Sequence, residues 1–409
     1  MSDQQTFVIV GGGLAGAKAA ETLRAEGFDG RVVLVGAEPS RPYERPPLSK
    51  EYLRGEAGRE KVYVHDEGFY ADQDIDLRPG RRATSLDPSG RELALDDGER
   101  LRFDRLLLAT GAEPRRLPVP GANLPGVHYL RSVEDSDALR ARLDAGGRAV
   151  VVGAGWIGCE VAASARQRGL EVTVVEPLSL PLERVLGPEM GAFFRDVHAD
   201  HGVEMLLGTG VEAFEGGEAV ERVRTSDGRE LACDFVVVGV GVAPRTELAE
   251  QAQISVDDGV LADELLRTSV PEILAAGDVA NHRHPMLGRV RVEHWFNALE
   301  QGPAAARTML GGSEPYDRLP YFFSDQYDVG MEYAGLAAER DRVVVRGDVG
   351  AREFIAFWLR ENRVVAGMNV NVWDVTDTIQ RLIRDRVSVE DRVLADPEVP
   401  LDELAPVAE

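Results

Sequence analysis

The chain is built on short, wholly apolar runs separated by longer helical stretches. Phe7-Val-Ile-Val10 leads to a helical stretch over Lys18–Glu26 and then to a second apolar run, Arg31–Val35. About 140 residues later the same succession returns: Val150-Val-Val152, a helical stretch over Glu160–Arg168, and the apolar run Glu171–Val175. Such runs, without polar alternation, predict buried parallel strands, and the stretches between them predict crossover helices. Gly27 and Gly169 follow the two helices where a left-handed cap fits. Further apolar runs ending in glycine occur at Phe103–Gly111, Phe235–Gly239 and Ile273–Gly277. Beyond about Pro320 the texture changes. Val343–Arg346, Glu353–Leu359 and Val364–Val370 read as antiparallel strands, followed by a helix near Val375–Arg386.

Glycines join the first strand of each repeat to its helix, as Gly11-Gly-Gly13-Leu-Ala-Gly16 and as Gly153-Ala-Gly155-Trp-Ile-Gly158. Within a βαβ unit this spacing has a mechanism. The first glycine turns tightly, the second lets backbone N–H groups reach a pyrophosphate, and the third lets helix pack on strand. Glu38 and Glu176 lie near the ends of the second strands, where an acid takes ribose hydroxyls. Two such units predict two bound dinucleotides, most simply a flavin and a nicotinamide. The fold class is therefore α/β, with two Rossmann-like domains and a C-terminal α+β domain. Pro114, Pro118, Pro120 and Pro125 mark a crossing between domains. The expected boundaries are 1–113 and 247–320 for a discontinuous dinucleotide-binding domain, 114–246 for a second one inserted in it and 321–409 for the third.

A net charge of −24 argues against nucleic acid and anionic membrane as partners. No apolar stretch approaches the ~20 residues of a membrane span, and the first residues run straight into a strand without the pattern of a signal peptide. Two cysteines form no disulfide framework, which points to a reducing cytoplasm. His282, His284 and His294 read as loop histidines, and His198 and His201 as surface residues sharing a helix face, so no metal is expected. The acidic stretch Ala395–Glu403 reads as a frayed tail.

The segment Arg41-Pro-Tyr-Glu-Arg45-Pro-Pro-Leu-Ser-Lys50 resembles one in flavin-dependent ferredoxin reductases of the putidaredoxin-reductase and biphenyl-dioxygenase-reductase type. Leu108-Ala-Thr-Gly111, Tyr129-Leu-Arg131-Ser, Trp156–Glu160, Ala276-Gly-Asp278 and Glu293–Gly302 are similar to that family's motifs and keep its order. The likeness spans the chain and implies the glutathione-reductase type of two-dinucleotide fold, with 1–113 and 247–320 as the FAD-binding domain, 114–246 as the NAD-binding domain inserted in it and 321–409 as the C-terminal domain. It implies FAD on Gly13, Ala15, Gly16, Glu38, Arg45, Lys50, Ala83, Thr110, Gly111, Arg131, Asp278 and Trp295. For NADH it implies Gly155, Ile157, Gly158, Glu160, Glu176 and Gly241. Lys50, Glu160 and Trp295 are the expected catalytic residues. Glu160 also admits a plainer reading, as a carboxylate on the first turn of a helix, and Trp295 as a core aromatic. Where relatives often carry an acid, this chain has Ala37, so Glu38 alone is left for the adenosine ribose.

Thiol-reducing flavoenzymes need two cysteines close together, whereas Cys159 and Cys233 are far apart in sequence. Electrons must then leave to an outside acceptor, and the resemblance implies a [2Fe-2S] ferredoxin feeding a cytochrome P450 or a ring-hydroxylating dioxygenase. An NADH oxidase, a quinone or small-acceptor reductase, and an NADH-binding redox sensor similar to apoptosis-inducing factor are the alternatives. The expected assembly is a monomer or weak dimer. Arg283, Arg289, Arg291 and Arg307 are candidates for a local basic docking patch near Trp295.

Overall fold

A computed structural model describes residues 5–338 and 341–404. The chain divides into two compact units. One comprises Met1–Arg45, Arg59–Glu113 and Val242–Pro320, the other Pro46–Gly58, Pro114–Gly241 and Tyr321–Glu409.

The first unit is built on a parallel five-stranded sheet in the order Ile273–Ala275, Arg105–Leu108, Thr6–Val10, Arg31–Gly36, Ile75–Pro79. In the second unit a parallel sheet runs Val127–Tyr129, Phe235–Val238, Arg148–Val152, Glu171–Glu176, Glu204–Leu207. In both, the strand before the glycine loop is central. A three-stranded antiparallel meander accompanies each sheet, Ala83–Asp87, Glu92–Leu95 and Arg100–Arg102 in the first unit and Val211–Glu215, Arg222–Thr225 and Glu230–Ala232 in the second. The repeat is therefore a whole domain and not only its fingerprint. The central strands are buried on both faces, as unbroken Val, Ile and Leu runs require.

Residues 321–404 add an antiparallel sheet in the order Tyr321–Gln326, Val329–Gly335, Arg363–Val370, Glu353–Arg360, Arg342–Asp348, with the helix Thr376–Arg384 after it. The first two strands were not foreseen. Pro46–Gly58, assigned from the sequence to the first domain, packs in the second unit. Its backbone explains why: Ser136 Oγ donates to the Leu48 carbonyl at 2.8 Å and Ser164 Oγ to the Ser49 carbonyl at 2.6 Å.

The acidic stretch near the C-terminus is ordered, contrary to the expectation of a frayed tail. Arg346, on the strand Arg342–Asp348, is only 9% exposed. Its guanidinium donates to the carbonyls of Asp396 at 2.6 Å, Pro397 at 3.2 Å and Val399 at 2.5 Å. Leu394 and Leu404 are buried beside this clamp in sequence. Replacing a buried charged donor leaves these carbonyls without their partner, at a cost of about 1–3 kcal/mol. Arg346→Met is expected to lower stability by about 2 kcal/mol and to speed amide exchange across residues 394–404 while flavin content is kept. Wild-type exchange rates in that segment would show that the clamp holds nothing.

Candidate active site

The two glycine loops share one geometry. Gly11 has φ +134°, and a Cβ there would lie 1.9 Å from the Ala109 carbonyl oxygen. A Cβ on Gly16 would stand 2.0 Å from the Gly11 carbonyl oxygen. In the second loop, Gly153 has φ +96° and its Cβ would meet the Gly239 carbonyl oxygen at 2.4 Å, while that of Gly158 would meet the Gly153 oxygen at 1.9 Å. The middle glycines differ. Nothing lies within 4 Å of the Cβ position of Gly13 or of Gly155. Protein packing thus demands the outer glycines and leaves the middle ones facing open space.

The helices start at that open point. Leu14–Ala25 and Trp156–Gln167 are N-capped by Gly13 and Gly155, neither of which has a side chain to offer the first-turn amides. The sequence reading began both helices four residues later, because the fingerprint glycines hide the first turn. Uncapped N–H groups, a positive helix end and a cleared space together fit a pyrophosphate. Both loops pass that test.

The acids at the ends of the second strands are held differently. Glu38 Oε1 accepts from Arg45 Nη2 at 2.8 Å, and Oε2 accepts from the Tyr43 hydroxyl. Burial opposes ionisation of Glu38, yet the Arg45 guanidinium and the Tyr43 hydroxyl hold its carboxyl below the usual range. Burial likewise works against the charge on Arg45, but Tyr43 and Glu38 more than offset it. Glu176 reaches back to its own glycine loop: Oε2 accepts from the Ala154 amide at 2.7 Å and Oε1 from the Leu178 amide at 2.9 Å.

Lys50 and Glu160 meet as a buried ion pair, Nζ to Oε2 2.8 Å, with side chains 6% and 5% exposed. Lys50 caps the short helix Glu51–Arg54, donates to the Pro46 carbonyl at 3.3 Å and lies over the Phe323 ring at 5.5 Å. Ser49 Oγ donates to Glu160 Oε2 at 2.5 Å, and Ser324 Oγ donates to Oε1 at 2.7 Å. Glu160 is not a first-turn carboxylate. It is the fifth residue of its helix, and its partners are three side chains from two other segments. Stranding either charge of such a pair costs about 3–5 kcal/mol.

The other expected residues are distributed as follows. Ala15 is buried on the first helix, and Ala83 opens the meander strand Ala83–Asp87. Thr110 Oγ1 donates to the Arg245 carbonyl at 2.8 Å, and the Gly111 carbonyl accepts from the Arg245 amide at 2.9 Å. Asp278 is half-buried in the turn Gly277–Val279, fixed where the Gly277 amide donates to Gln301 Oε1 at 2.8 Å. Trp295 is half-buried at the start of the helix Trp295–Met309. All of these belong to the first unit, with Gly13, Gly16, Glu38 and Arg45. Lys50 and Arg131, assigned to FAD from the sequence, belong to the second unit with Gly155, Ile157, Gly158, Glu160, Glu176 and Gly241. Arg131 is positioned through its amide, which donates to Asp135 at 3.0 Å. Ile157 is 42% exposed on the first helical turn, and Gly241 has φ +92°. Sequence reasoning missed Tyr43, Ser49 and Ser324. Tyr43 and Ser49 stand inside the quoted Arg41–Lys50 motif, but nothing marked Ser324.

His198 is fully buried and not a surface residue. His282 and His284 lie buried on the strand Ala280–His284, where His282 Nδ1 is 3.2 Å from Gln301 Nε2 and His284 Nδ1 accepts the Met286 amide at 3.1 Å. Among the described residues no group of three or more His, Cys, Asp or Glu could hold a metal ion. Cys159 and Cys233 are free and buried. Burial drives the Cys159 thiol far above its ordinary range and pushes that of Cys233 up to about 11.

Two dinucleotide cradles in one chain define an oxidoreductase that works with FAD and NAD(H). Residues 5–302 match the pyridine nucleotide-disulphide oxidoreductase family, and residues 321–405 match the reductase C-terminal family. The chain belongs to the pyridine nucleotide-disulphide oxidoreductase family and carries that reductase C-terminal domain. It is 42% identical to rhodocoxin reductase of Rhodococcus erythropolis over 90% of this chain and 86% of that protein. With putidaredoxin reductase of Pseudomonas putida it shares 39% identity over 100% of this chain and 98% of that protein. Among solved structures, the ferredoxin reductase for the CYP199A2 system of Rhodopseudomonas palustris superposes with a TM-score of 0.94 at 39% identity, covering 98% of this chain and 99% of that one. The reductase of the covalent putidaredoxin reductase–putidaredoxin complex gives a TM-score of 0.95 at 39% identity, with 98% of each chain covered. Among the described residues no helix is long and apolar enough to cross a membrane.

The two bonds of Glu176 make it a brace for the loop through Ala154, and the sequence expectation also puts it at the ribose. NADH is expected to exceed NADPH in kcat/KM by at least about tenfold, since a 2′-phosphate meets like charge there. Glu176→Ala is expected to narrow that ratio and also to lower kcat/KM for NADH itself. A ratio left unchanged in the variant would remove Glu176 from nucleotide choice.

Proposed function

We propose that this chain is a ferredoxin reductase that takes reducing equivalents from NADH and passes them singly to a [2Fe-2S] ferredoxin of a cytochrome P450 or ring-hydroxylating dioxygenase system. The observation that carries this reading is a pair of cradles without a thiol relay. Both cysteines are free, buried and held away from the thiolate form. Electrons delivered by NADH therefore have no protein disulfide to reduce. The names of the relatives support the direction of flow, since several are ferredoxin reductase components of dioxygenase systems.

The glycine loop of the first unit, with Glu38, Arg45, Thr110, Gly111, Asp278 and Trp295, holds FAD in this reading. The second loop, with Ile157, Glu176 and Gly241, holds the nicotinamide nucleotide. Bound FAD supplies a carrier that accepts two electrons together and releases them one at a time. The protein's part is to bind, orient and keep charge fixed. Lys50 provides a cation immobilised by Glu160, and Trp295 a half-buried aromatic surface. The chain acts in the cytoplasm as a monomer or weak dimer.

The four arginines named as a docking patch are largely paired with their surroundings. Arg291 is bound to Asp258 at 3.2 Å and to Glu293, Arg307 to Glu26 at 3.2 Å, and Arg283 lies 3.9 Å from Glu264. Arg289 donates to the Asn281 carbonyl at 2.7 Å. Their local field is weaker than the sequence suggested, and with a net charge of −24 long-range attraction of an acidic ferredoxin is not expected.

Anaerobic reduction by NADH followed by mixing with either oxygen or a [2Fe-2S] ferredoxin separates the readings. Reoxidation by ferredoxin is expected to be much the faster, and to persist in the doubly substituted Cys159→Ser, Cys233→Ser protein. Faster reoxidation by oxygen would identify an oxidase. A reduced complex that persists with every acceptor would favour a redox sensor, and normal flavin reduction with lost ferredoxin reduction in the serine variant would restore a thiol relay.

A further inference from the structure

The Lys50–Glu160 pair is the end of a longer buried hydrogen-bond chain. Ser324 Oγ, which donates to Glu160 Oε1 at 2.7 Å, accepts from Gln326 Nε2 at 3.1 Å. Gln326 Oε1 lies 2.9 Å from His198 Nε2, and His198 Nδ1 lies 3.2 Å from the Tyr327 hydroxyl. Glu160, Ser324, Gln326 and His198 are all buried, and only Tyr327 reaches partly to the surface. The chain runs from the ion pair along the strand Tyr321–Gln326 to the last turns of the helix Glu183–Asp200.

Its polarity is fixed from one end. A carboxylate can only accept, so Ser324 must spend its single hydrogen on Glu160. The Ser324 oxygen is then free to accept, which turns the Gln326 amide N–H toward it. The Gln326 carbonyl in turn needs a donor, and His198 supplies one from Nε2. That leaves Nδ1 as the acceptor of the Tyr327 O–H. Burial pulls the His198 imidazole down to about 4, so the ring is neutral and carries this one hydrogen. With the Gln326 amide reversed, its carbonyl would face Ser324 and draw the hydroxyl away from Glu160. The carboxylate would lose one of its three donors, and the balance that aims Oε2 at Lys50 would shift.

A buried Ser, Gln and His in line are costly unless each polar atom is matched. Here they are matched, and all in one direction. We propose that Gln326 and His198 are positioning residues that act through Ser324 to hold Glu160 as an acceptor aimed at Lys50, and so fix the ammonium group used in the reaction with NADH. The inference rests on the reading that Lys50 and Glu160 serve that reaction.

Two measurements on the FAD-loaded protein test it. In anaerobic stopped flow, Gln326→Leu is expected to slow the limiting rate of flavin reduction by about tenfold, with NADH Kd within about twofold of wild type. Glu160→Gln is expected to slow it at least as much. In ¹⁵N-histidine NMR, with His198 assigned by its loss in His198→Gln, the wild-type ring is expected as the neutral Nε2–H tautomer. If Glu160→Gln is slow but Gln326→Leu runs at the wild-type rate, the chain has no positioning role and the ion-pair reading stands alone. If neither is slow, the ion-pair reading falls and takes this one with it. If Gln326→Leu does not fold, the tautomer decides: Nε2–H supports the chain, and an Nδ1–H ring overturns it.

Discussion

The contact on which most of this structure depends is the one between the third glycine of each fingerprint and the carbonyl of the first. A Cβ at Gly16 or Gly158 would stand 2.0 Å or 1.9 Å from that oxygen, so the helix can press this close to the loop only where the side chain is missing. The same close approach leaves the middle glycine facing emptied space at the start of a helix. Backbone amides and a macrodipole then point at a place the protein does not fill. Because the contact is made of backbone, it recurs with unrelated side chains around it. That is why two domains of one chain repeat it within a tenth of an ångström and share the order of four strands around it, while the fifth is supplied by the chain after the unit in one sheet and before it in the other.

What differs between the copies is how each uses the acid after its second strand. Glu38 is neutralised sideways, by Arg45 and Tyr43 from the following segment. Glu176 instead turns inward and accepts the Ala154 amide of its own loop. The first arrangement leaves a guanidinium beside the ligand's expected place, and the second concentrates negative charge at the strand end. In the proposed function the first cradle holds FAD and the second the nicotinamide nucleotide.

The legible and illegible parts of the sequence divide along the same physical line. Glycine spacings were readable because a hard backbone contact forbids every other residue. Lys50 and Glu160 were marked by resemblance alone, and no local rule joins positions so far apart into a pair. The strand Tyr321–Gln326 was missed for a definite reason. Its inward positions are Phe322, Ser324 and Gln326, while Tyr321 and Phe323 are only half-buried, so the usual alternation of apolar-in and polar-out is inverted. The inversion exists because the strand serves a buried carboxylate and a buried imidazole. His198 was misread as a surface residue on the same account, and the acidic tail as frayed because its anchor, Arg346, lies some fifty positions earlier.

On the proposed function, each open glycine faces its own dinucleotide. Gly13 and Gly155 have extended backbone at φ −94° and −78°, and nothing of the protein lies within 4 Å of their Cβ positions. A side chain at either position is therefore tolerated by the fold and collides only with a ligand. The most direct measurement compares bound flavin and NADH affinity in Gly13→Val and Gly155→Val. Gly13→Val is expected to give a folded protein with little or no FAD. Gly155→Val is expected to give a yellow protein whose Kd for NADH is raised by about 100-fold, the loss of two charge-assisted hydrogen bonds. Full FAD content in Gly13→Val, or unchanged NADH affinity in Gly155→Val, would contradict it.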